Sequence, residues 1–436
     1  MGLALKVGLG ALIMALSTGI AGAKEATSGP QPEALGFSSE RLERLDAAMK
    51  AEVDQGRYPG VSVLVLRHGK IVFDRRYGFQ SIEKHTPLAA DTIFRIASMT
   101  KPIAGIALMI LFEEGKWQLD DPISKFVPEF ADLKVKTAAG LVAPDHPPTM
   151  RELVTSTAGF PGGFPLNSSF PDLDETYAKA GLHEGTLNAM AGKLAKLPLE
   201  SQPGAKFRYG IQHDIQGLVV ERISGMTFDR FLQDRLFAPL GMVDTGFHIP
   251  DSKRDRLATL YGYDKAMKLA ATPFQGSMPA SDVINPAFFS GAGGLYSTAK
   301  DYERLLRMLA NGGELDGKRI LAPSSVRLMM SDMLPEGVKL RFAQQVEGVG
   351  YGVDLGIVLD PARASFNGGT IGKGSVFWTG AHGTWFWIDP QNDVIVLGMT
   401  QLAFSAALHM GMPYPADDLR AISRSLVYQA LVDEKR

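Results

Sequence analysis

The sequence predicts an α+β protein with one antiparallel sheet that is built from both ends of the chain. Strand patterns occur at residues 61–66 and 71–77 and return after about residue 290. Between them, residues 120–270 alternate short helical patterns with loops rich in proline and glycine. Because strand patterns flank a helical insertion, we expect a sheet flanked by helices plus a second, helical and loop-rich region.

The N-terminal elements follow from apolar spacing and turn residues. Leu42, Leu45 and Met49 recur at helical spacing behind two serines that can cap a helix. Two short apolar runs around a turn containing Gly69 predict a pair of strands. A long apolar stretch that ends before Gly115 predicts a core helix. In order, the elements are a helix from residue 38, strands 61–66 and 71–77 around a turn at 68–70, and a helix from 98 to about 114.

The later elements are predicted in the same way. Short amphipathic helices fill the middle, and a hairpin of aromatic and β-branched residues precedes a closing helix. The predicted domains are residues 38–120 together with 270–436 for the sheet, and 121–269 for the helical region. We expect helices at 150–157, 183–197, 214–225, 228–237, 297–311 and 415–432, and a hairpin of 377–389 with 394–400.

The first 23 residues have the pattern of a signal peptide. Lys6 provides positive charge, residues 7–20 are mostly apolar, and the small residues 21–23 suit cleavage before Lys24. A short anchor helix is the alternative, but a membrane span needs about 20 apolar residues, so stable insertion after cleavage is not expected. We expect an exported bacterial protein, periplasmic or secreted, in which residues 24–37 form a linker.

The composition excludes several classes of function. The net charge of −2 and the absence of like-charged blocks give no reason to expect binding to nucleic acid. With no cysteine, the chain has no disulfide, thiol nucleophile or thiolate metal site, and its eight histidines show no metal-ligand spacing. A G-x-S-x-G elbow is absent, which disfavours an ordinary α/β-hydrolase. Residues 291–294 lack the lysine of a phosphate loop and predict a tight backbone approach near a cleft.

Ser98 and Lys101 form an S-x-x-K pattern at the start of the predicted core helix. This spacing places both side chains on one face, one turn apart. A lysine acts as a base only when neutral, and burial near a helix N-terminus disfavours its charged form. Such a lysine can activate a serine hydroxyl without a histidine, although a plain N-cap is the alternative for Ser98.

The S-x-x-K pattern occurs three times, and context separates the three. No apolar helix follows Ser81, so nothing would bury its lysine. The pattern at Ser297 is best explained as a helix cap, because Asp301 follows Thr298 by three residues. Ser98 alone stands between a strand pattern and a core helix.

Further segments complete a family resemblance. Tyr209 stands in F-R-Y-G-I-Q-H-D, and residues 378–380 open the stretch W-T-G-A-H-G. With Ser98 and the segment L-V-T-S-T-A-G at 153–159, they follow one order and spacing over residues 38–430. The sequence thereby resembles the family VIII carboxylesterases of the serine β-lactamase-like superfamily, which includes class C β-lactamases and penicillin-binding proteins.

The resemblance implies a β-lactamase/transpeptidase-like fold and a role for each motif residue. Ser98 is the expected nucleophile, and Lys101 and Tyr209 are the expected base and proton shuttle, with the resting-state base left open. The backbone N–H groups of Ser98 and Ala381 are expected to form the oxyanion hole. The expected substrate-binding residues are Trp378, Thr379, Gly380 and His382.

Two departures from the family pattern shift the expected substrate from a β-lactam to an ester. Ile211 stands where Y-x-N motifs have an amide, and Trp378 stands where K-T-G motifs have a lysine that would pair with a substrate carboxylate. The indole offers an apolar face that suits an uncharged ester, although an ordinary strand aromatic is the alternative. His382 is expected to be a structural neighbour of the site, with substrate contact as the alternative.

We therefore expect a serine hydrolase that cleaves short-chain carboxylic esters through an acyl-enzyme. Its expected partner is a small-molecule ester. Weak β-lactamase activity is expected as a side reaction, and no metal or organic cofactor is implied. The alternatives on the same site are a β-lactamase, a D-amino peptidase and a linear amide hydrolase. A catalytically silent protein that binds peptidoglycan or a partner is the alternative from another class. The physiological substrate and the oligomeric state are left open.

Overall fold

The structure, a computed structural model, describes residues 31–161, 169–272, 286–342, 345–364, 369–403 and 418–433. The predicted signal peptide and residues 24–30 of the predicted linker lie outside the described residues. From residue 31 the chain forms a 3-10 helix, Pro32–Leu35, and Phe37 is fully buried. Within the described ranges, no helix is long and apolar enough to cross a membrane.

An antiparallel sheet forms the centre of the described fold and joins both ends of the chain, as predicted. Its N-terminal strand pairs with its C-terminal strand, so that Val61 lies opposite Thr400. The sheet has eight strands among the described residues. In spatial order they are β12 (Val349–Tyr351), β13 (Gly356–Val358), β14 (Val376–Thr379), β15 (Trp385–Asp389), β16 (Val394–Thr400), β1 (Gly60–Arg67), β2 (Lys70–Ser81) and β3 (Thr86–Pro87).

Among the described residues, four short strand pairs lie outside this sheet. One of them joins the segment before Ser98 to the segment after residue 294, which brings two distant parts of the sequence together. The pairs are β4 (Phe94–Arg95) with β9 (Tyr296–Ser297), β5 (Val135–Thr137) with β6 (Gly140–Val142), β7 (Tyr261–Tyr263) with β8 (Leu269–Ala271), and β10 (Glu314–Leu315) with β11 (Lys318–Arg319).

Each predicted helix is present among the described α-helices, most of them with shorter bounds. The helix predicted at 214–225 begins earlier, at Gln212, and residues 415–417 of the last predicted helix lie outside the described residues. The predicted helix 228–237 continues as a π-helix from Gln233. The helices are α1 (Ser39–Asp54), α2 (Thr100–Glu113), α3 (Met150–Val154), α4 (Pro171–Lys179), α5 (Leu187–Leu194), α6 (Gln212–Ser224), α7 (Phe228–Leu232), α8 (Ala238–Leu240), α9 (Ala299–Ala310), α10 (Pro323–Met329) and α11 (Leu419–Ala430). Further 3-10 helices are Ala97–Met99, Ile123–Lys125, Pro128–Phe130 and Asp251–Arg256.

Helices cover both faces of the sheet. Neighbouring side chains of β15 point to opposite faces, and each contacts a different helix. Trp387 stacks on Tyr428 of α11 with ring centroids 6.4 Å apart. The adjacent Phe386 lies 5.6 Å from Tyr302 of α9. Both aromatic pairs exclude water from the sheet, and α2 lies so deep that every residue from Thr100 to Leu111 is buried.

The prediction of one strand over residues 377–389 is wrong. The Gly380 N–H donates to the Thr384 carbonyl at 2.7 Å, and Gly383 takes a φ of 88°, so a tight turn separates β14 from β15. Glycine adopts this left-handed conformation without steric cost. Aromatic residues at 377–378 and 385–387 continue the strand pattern on both sides of the turn, so the sequence does not show where one strand ends and the next begins.

Candidate active site

Ser98 lies in a strained 3-10 turn that leads into α2. The turn spans Ala97–Met99, and the α-helix proper begins at Thr100, two residues later than predicted. Ala97 has a φ of 45°, a left-handed conformation that side chains other than glycine seldom adopt. Strain of this kind concentrates at functional sites because surrounding contacts must hold it. Ser98 is half-buried, so the core does not enclose it completely.

Lys101 lies one turn further on and reaches back to the serine. Its Nζ is 3.1 Å from the Ser98 Oγ and also donates a hydrogen bond to the carbonyl of Ala292. The lysine is only 3% exposed, because the first turns of α2 are enclosed by the core. The spacing of the S-x-x-K motif therefore places the amine and the hydroxyl in direct contact, as predicted.

Tyr209 joins this pair from the loop before α6. The Lys101 Nζ lies 4.5 Å from the centroid of the Tyr209 ring, within the range of a cation–π contact. Tyr209 is half-buried. The three predicted catalytic residues thus meet at one place, although they come from two separate parts of the sequence. Their roles in catalysis stay predictions.

The turn after β14 packs directly against the Ser98 turn. The Thr384 hydroxyl donates to the carbonyl of Ile96 at 3.2 Å. A side chain at Gly380 would overlap both of these groups, so only glycine permits the approach. Ala381 follows at the exposed tip of the turn. This packing brings the segment of the predicted oxyanion residue beside Ser98, and the oxyanion hole itself stays a prediction.

An aromatic cluster lies beside Tyr209. Trp378 of β14 is 3% exposed, and its ring centroid lies 5.7 Å from Tyr209, 6.1 Å from Phe342 and 5.5 Å from Tyr351. Trp378 is therefore both a packed strand residue and a direct neighbour of the site. Thr379 ends the same strand, opposite Trp385. The sequence singled out Trp378 and missed Phe342, which has no local motif.

His382 lies in the turn, one residue beyond Ala381. It is half-buried, its Nδ1 is enclosed, and its carbonyl accepts the Leu402 N–H at 3.0 Å. Burial, with the Arg95 guanidinium as a second cause, lowers the pKa of His382 to about 4. The imidazole is therefore neutral at physiological pH.

This shift makes a part of the stability depend on pH. In the unfolded chain a histidine has a pKa of about 6.5. Between that pH and about 4, the unfolded state therefore binds more protons at this residue than the folded state does. The contribution of His382 is present above the upper value and is lost as the pH falls. We expect the difference in Tm between wild type and His382→Gln to decrease from pH 7 to pH 4, measured by scanning calorimetry. A difference that is constant with pH would contradict this assignment.

The structure adds a network that the sequence did not indicate. His213 is fully buried, and its Nε2 lies 3.1 Å from Asp354 Oδ1. Gln216, one turn further along α6, donates to the same oxygen at 3.0 Å. The spacing of His213 and Gln216 is visible in the sequence, but Asp354 is 138 residues beyond Gln216. The sequence alone does not indicate this pairing, because the partner of His213 is distant in the chain.

The other two S-x-x-K serines lie away from this chemistry. Ser81 accepts from the backbone N–H of Lys84 at 3.4 Å, which is a turn and not a site. Thr298 caps α9 by accepting from the Asp301 N–H at 3.1 Å, as predicted. Ser297 is buried against Thr245. In the described part of the chain, no cluster of three or more His, Asp or Glu side chains could hold a metal ion.

The sequence matches the Beta-lactamase family model over residues 45–418. This chain belongs to the beta-lactamase family. Within the family it is 35% identical over 368 residues to Protein Rv1367c of Mycobacterium tuberculosis, covering 83% of this chain and 90% of that protein. It is 29% identical over 382 residues to Esterase EstB of Burkholderia gladioli, with 83% and 90% covered.

Among solved structures, the fold resembles that of EstCE1, a hydrolase with promiscuous acyltransferase activity. The TM-score is 0.72 at 27% identity, and the match covers 89% of this chain and 98% of that chain. The expected β-lactamase/transpeptidase-like fold and the resemblance to family VIII esterases are confirmed. The chain is a serine hydrolase of the β-lactamase fold.

Proposed function

We propose that this protein cleaves short-chain, uncharged carboxylic esters through an acyl-enzyme on Ser98. The contact of 3.1 Å between the Lys101 Nζ and the Ser98 Oγ is the observation that carries the proposal. It joins the hydroxyl of a half-buried serine to a buried amine, and an adjacent base is what a serine needs to become a nucleophile. The ring of Tyr209 lies 4.5 Å from the same amine, and its hydroxyl is the second group that we propose for proton transfer.

The reaction proceeds in two halves. The Ser98 Oγ attacks the ester carbonyl carbon while its proton passes to the Lys101 and Tyr209 pair. The tetrahedral oxyanion is stabilised by backbone N–H groups of Ser98 and Ala381, and it collapses as the C–O bond to the alcohol breaks. The pair returns the proton to the leaving alcohol. Water then attacks the acyl-enzyme with help from the same pair, which releases the acid and restores the Ser98 hydroxyl.

The aromatic residues next to the site support an uncharged substrate. Trp378 and Phe342 present aromatic rings beside Tyr209, and such surfaces favour apolar groups. Trp378 stands where a lysine would bind a substrate carboxylate, so the site lacks that means of holding penicillins or peptides. Two relatives are in accord, since one is named an esterase and another a hydrolase with promiscuous acyltransferase activity.

We expect p-nitrophenyl acetate and butyrate to be turned over with higher kcat/KM than nitrocefin. The physical reason is that the aromatic side chains beside the site favour a neutral acyl chain and do not compensate for the desolvation of a carboxylate. Steady-state kinetics on the ester series and on nitrocefin, at one pH, measure the ratio. Faster nitrocefin turnover than that of every ester would replace this proposal with amide chemistry on the same site.

A further inference from the structure

The carbonyl of Ala292 is a built partner of Lys101. A carbonyl oxygen can only accept, so the Nζ must direct one of its hydrogens towards it. This contact restricts rotation of the amine while the same Nζ meets the Ser98 Oγ at 3.1 Å. In a neutral amine, with two hydrogens and one lone pair, a hydrogen held by Ala292 leaves the lone pair free for the serine hydroxyl. The position of the Ala292 carbonyl therefore matters for proton transfer.

Asp214 holds the loop that carries this carbonyl. Its Oδ1 accepts from the Ser290 hydroxyl at 2.7 Å and from the Ala292 N–H at 3.1 Å. Asp214 is 1% exposed, in the first turn of α6. The other carboxylate oxygen lies 3.5 Å from the Nε2 of His183. Although burial opposes the charged form, the hydrogen bonds from His183, Ser290 and Ala292 keep the pKa of Asp214 below its ordinary value.

The loop also packs against the backbone of α6. A side chain at Gly291 would overlap the carbonyl of His213, so the loop and the helix meet without space between them. This is the tight backbone approach that the glycines at 291–294 predict. Tyr209 stands just before α6, so one helix start positions both the tyrosine and the partner of Lys101.

We infer that Asp214 is a positioning residue for acylation: it fixes the 290–292 loop so that the Ala292 carbonyl orients the amine of Lys101 towards Ser98. The inference rests on the proposed function and names a determinant of its first step. Asp214 itself touches none of the reacting groups in the described structure; it acts through Ser290 and Ala292.

A pair of substitutions separates positioning from charge. Asp214→Ala removes the acceptor, whereas Asp214→Asn keeps an oxygen that can accept from Ser290 and Ala292. We expect Asp214→Ala to lower kcat for p-nitrophenyl butyrate by about 10-fold to 100-fold with KM changed less than about threefold, since a displacement of 1 Å has effects of that order. Asp214→Asn should keep kcat within about fivefold of wild type, and Ser290→Ala should lower it in the same direction as Asp214→Ala.

Asp301→Ala is the matched control for loss of a buried carboxylate. One Asp301 oxygen also accepts from a backbone N–H and a hydroxyl, those of Asp244 at 2.6 Å and Thr245 at 2.9 Å. Asp301 is 2% exposed and lies in the first turn of α9. We expect this variant to lower Tm while kcat stays near that of wild type.

The rate of Ser98 labelling by a fluorophosphonate, followed by intact-mass spectrometry, distinguishes the two levels of the proposal. Wild-type labelling with slow labelling of Asp214→Ala supports the inference. Equal labelling of both, or an equal loss of kcat in Asp301→Ala and Asp214→Ala, overturns the inference and leaves the proposed function standing. A folded wild type that is not labelled at Ser98 overturns both.

Discussion

Ser98→Ala is expected to lower kcat for p-nitrophenyl butyrate by about 10⁴-fold or more, because loss of a nucleophile in a serine hydrolase removes the covalent route altogether. The folded structure should change little, since the substitution removes one oxygen from a half-buried residue of the Ala97–Met99 turn. Initial-rate kinetics with active-site titration give the effect, and calorimetry checks that Tm is close to that of wild type.

The chain itself provides the control for this substitution. Ser81 stands in the same four-residue pattern, with Lys84 as its lysine, but the structure places it in a turn. Ser81→Ala should therefore leave kcat and KM at wild-type values. Loss of a peripheral contact would leave Ser98→Ala with more than about a tenth of the wild-type kcat. A residual kcat in that range would show that the acyl-enzyme mechanism is wrong.

The sequence predicts the centre of the fold because both ends of the chain carry short apolar runs, rich in β-branched residues and bounded by turn residues. The buried strands Gly60–Arg67 and Val394–Thr400 each read as continuous apolar runs, and they pair in the sheet. The S-x-x-K contact is predictable for a similar reason, since helical spacing alone brings Lys101 back to Ser98. These features depend on residues that are neighbours in the sequence.

The features that were missed depend on distant residues. No local pattern shows that Ala292 would offer its carbonyl to Lys101, because 191 residues separate the two. Ile211 stands where the family pattern has an asparagine, so this position offers no amide that could orient the lysine. In the structure a backbone carbonyl, held by Asp214, restrains the amine. Every residue has a backbone carbonyl, so residue type does not show which carbonyl contacts the lysine, and only the fold identifies it.

The second large effect is expected at the proton-transfer pair. Lys101→Met removes the amine and keeps an apolar stem of similar length inside the buried helix, so we expect kcat to fall by about 10²-fold or more with little loss of stability. Tyr209→Phe removes only the hydroxyl and retains the ring against Trp378, 5.7 Å away. It should lower the acylation rate by a similar factor. Wild-type rates in either variant would remove that residue from the mechanism.

The double variant decides whether the two groups act as one unit. If Lys101 and Tyr209 share the transfer of a single proton, losing the second group costs little once the first is gone. Lys101→Met with Tyr209→Phe should then be only slightly slower than the slower single variant, as for catalytic residues that act together. Independent roles would multiply the two effects to about 10⁴-fold. The contact between Lys101 and the Tyr209 ring is compatible with both mechanisms, so the structure alone does not choose between them. Pre-steady-state acylation rates of the wild type, the two single variants and the double variant distinguish a coupled pair from two separate acid–base groups.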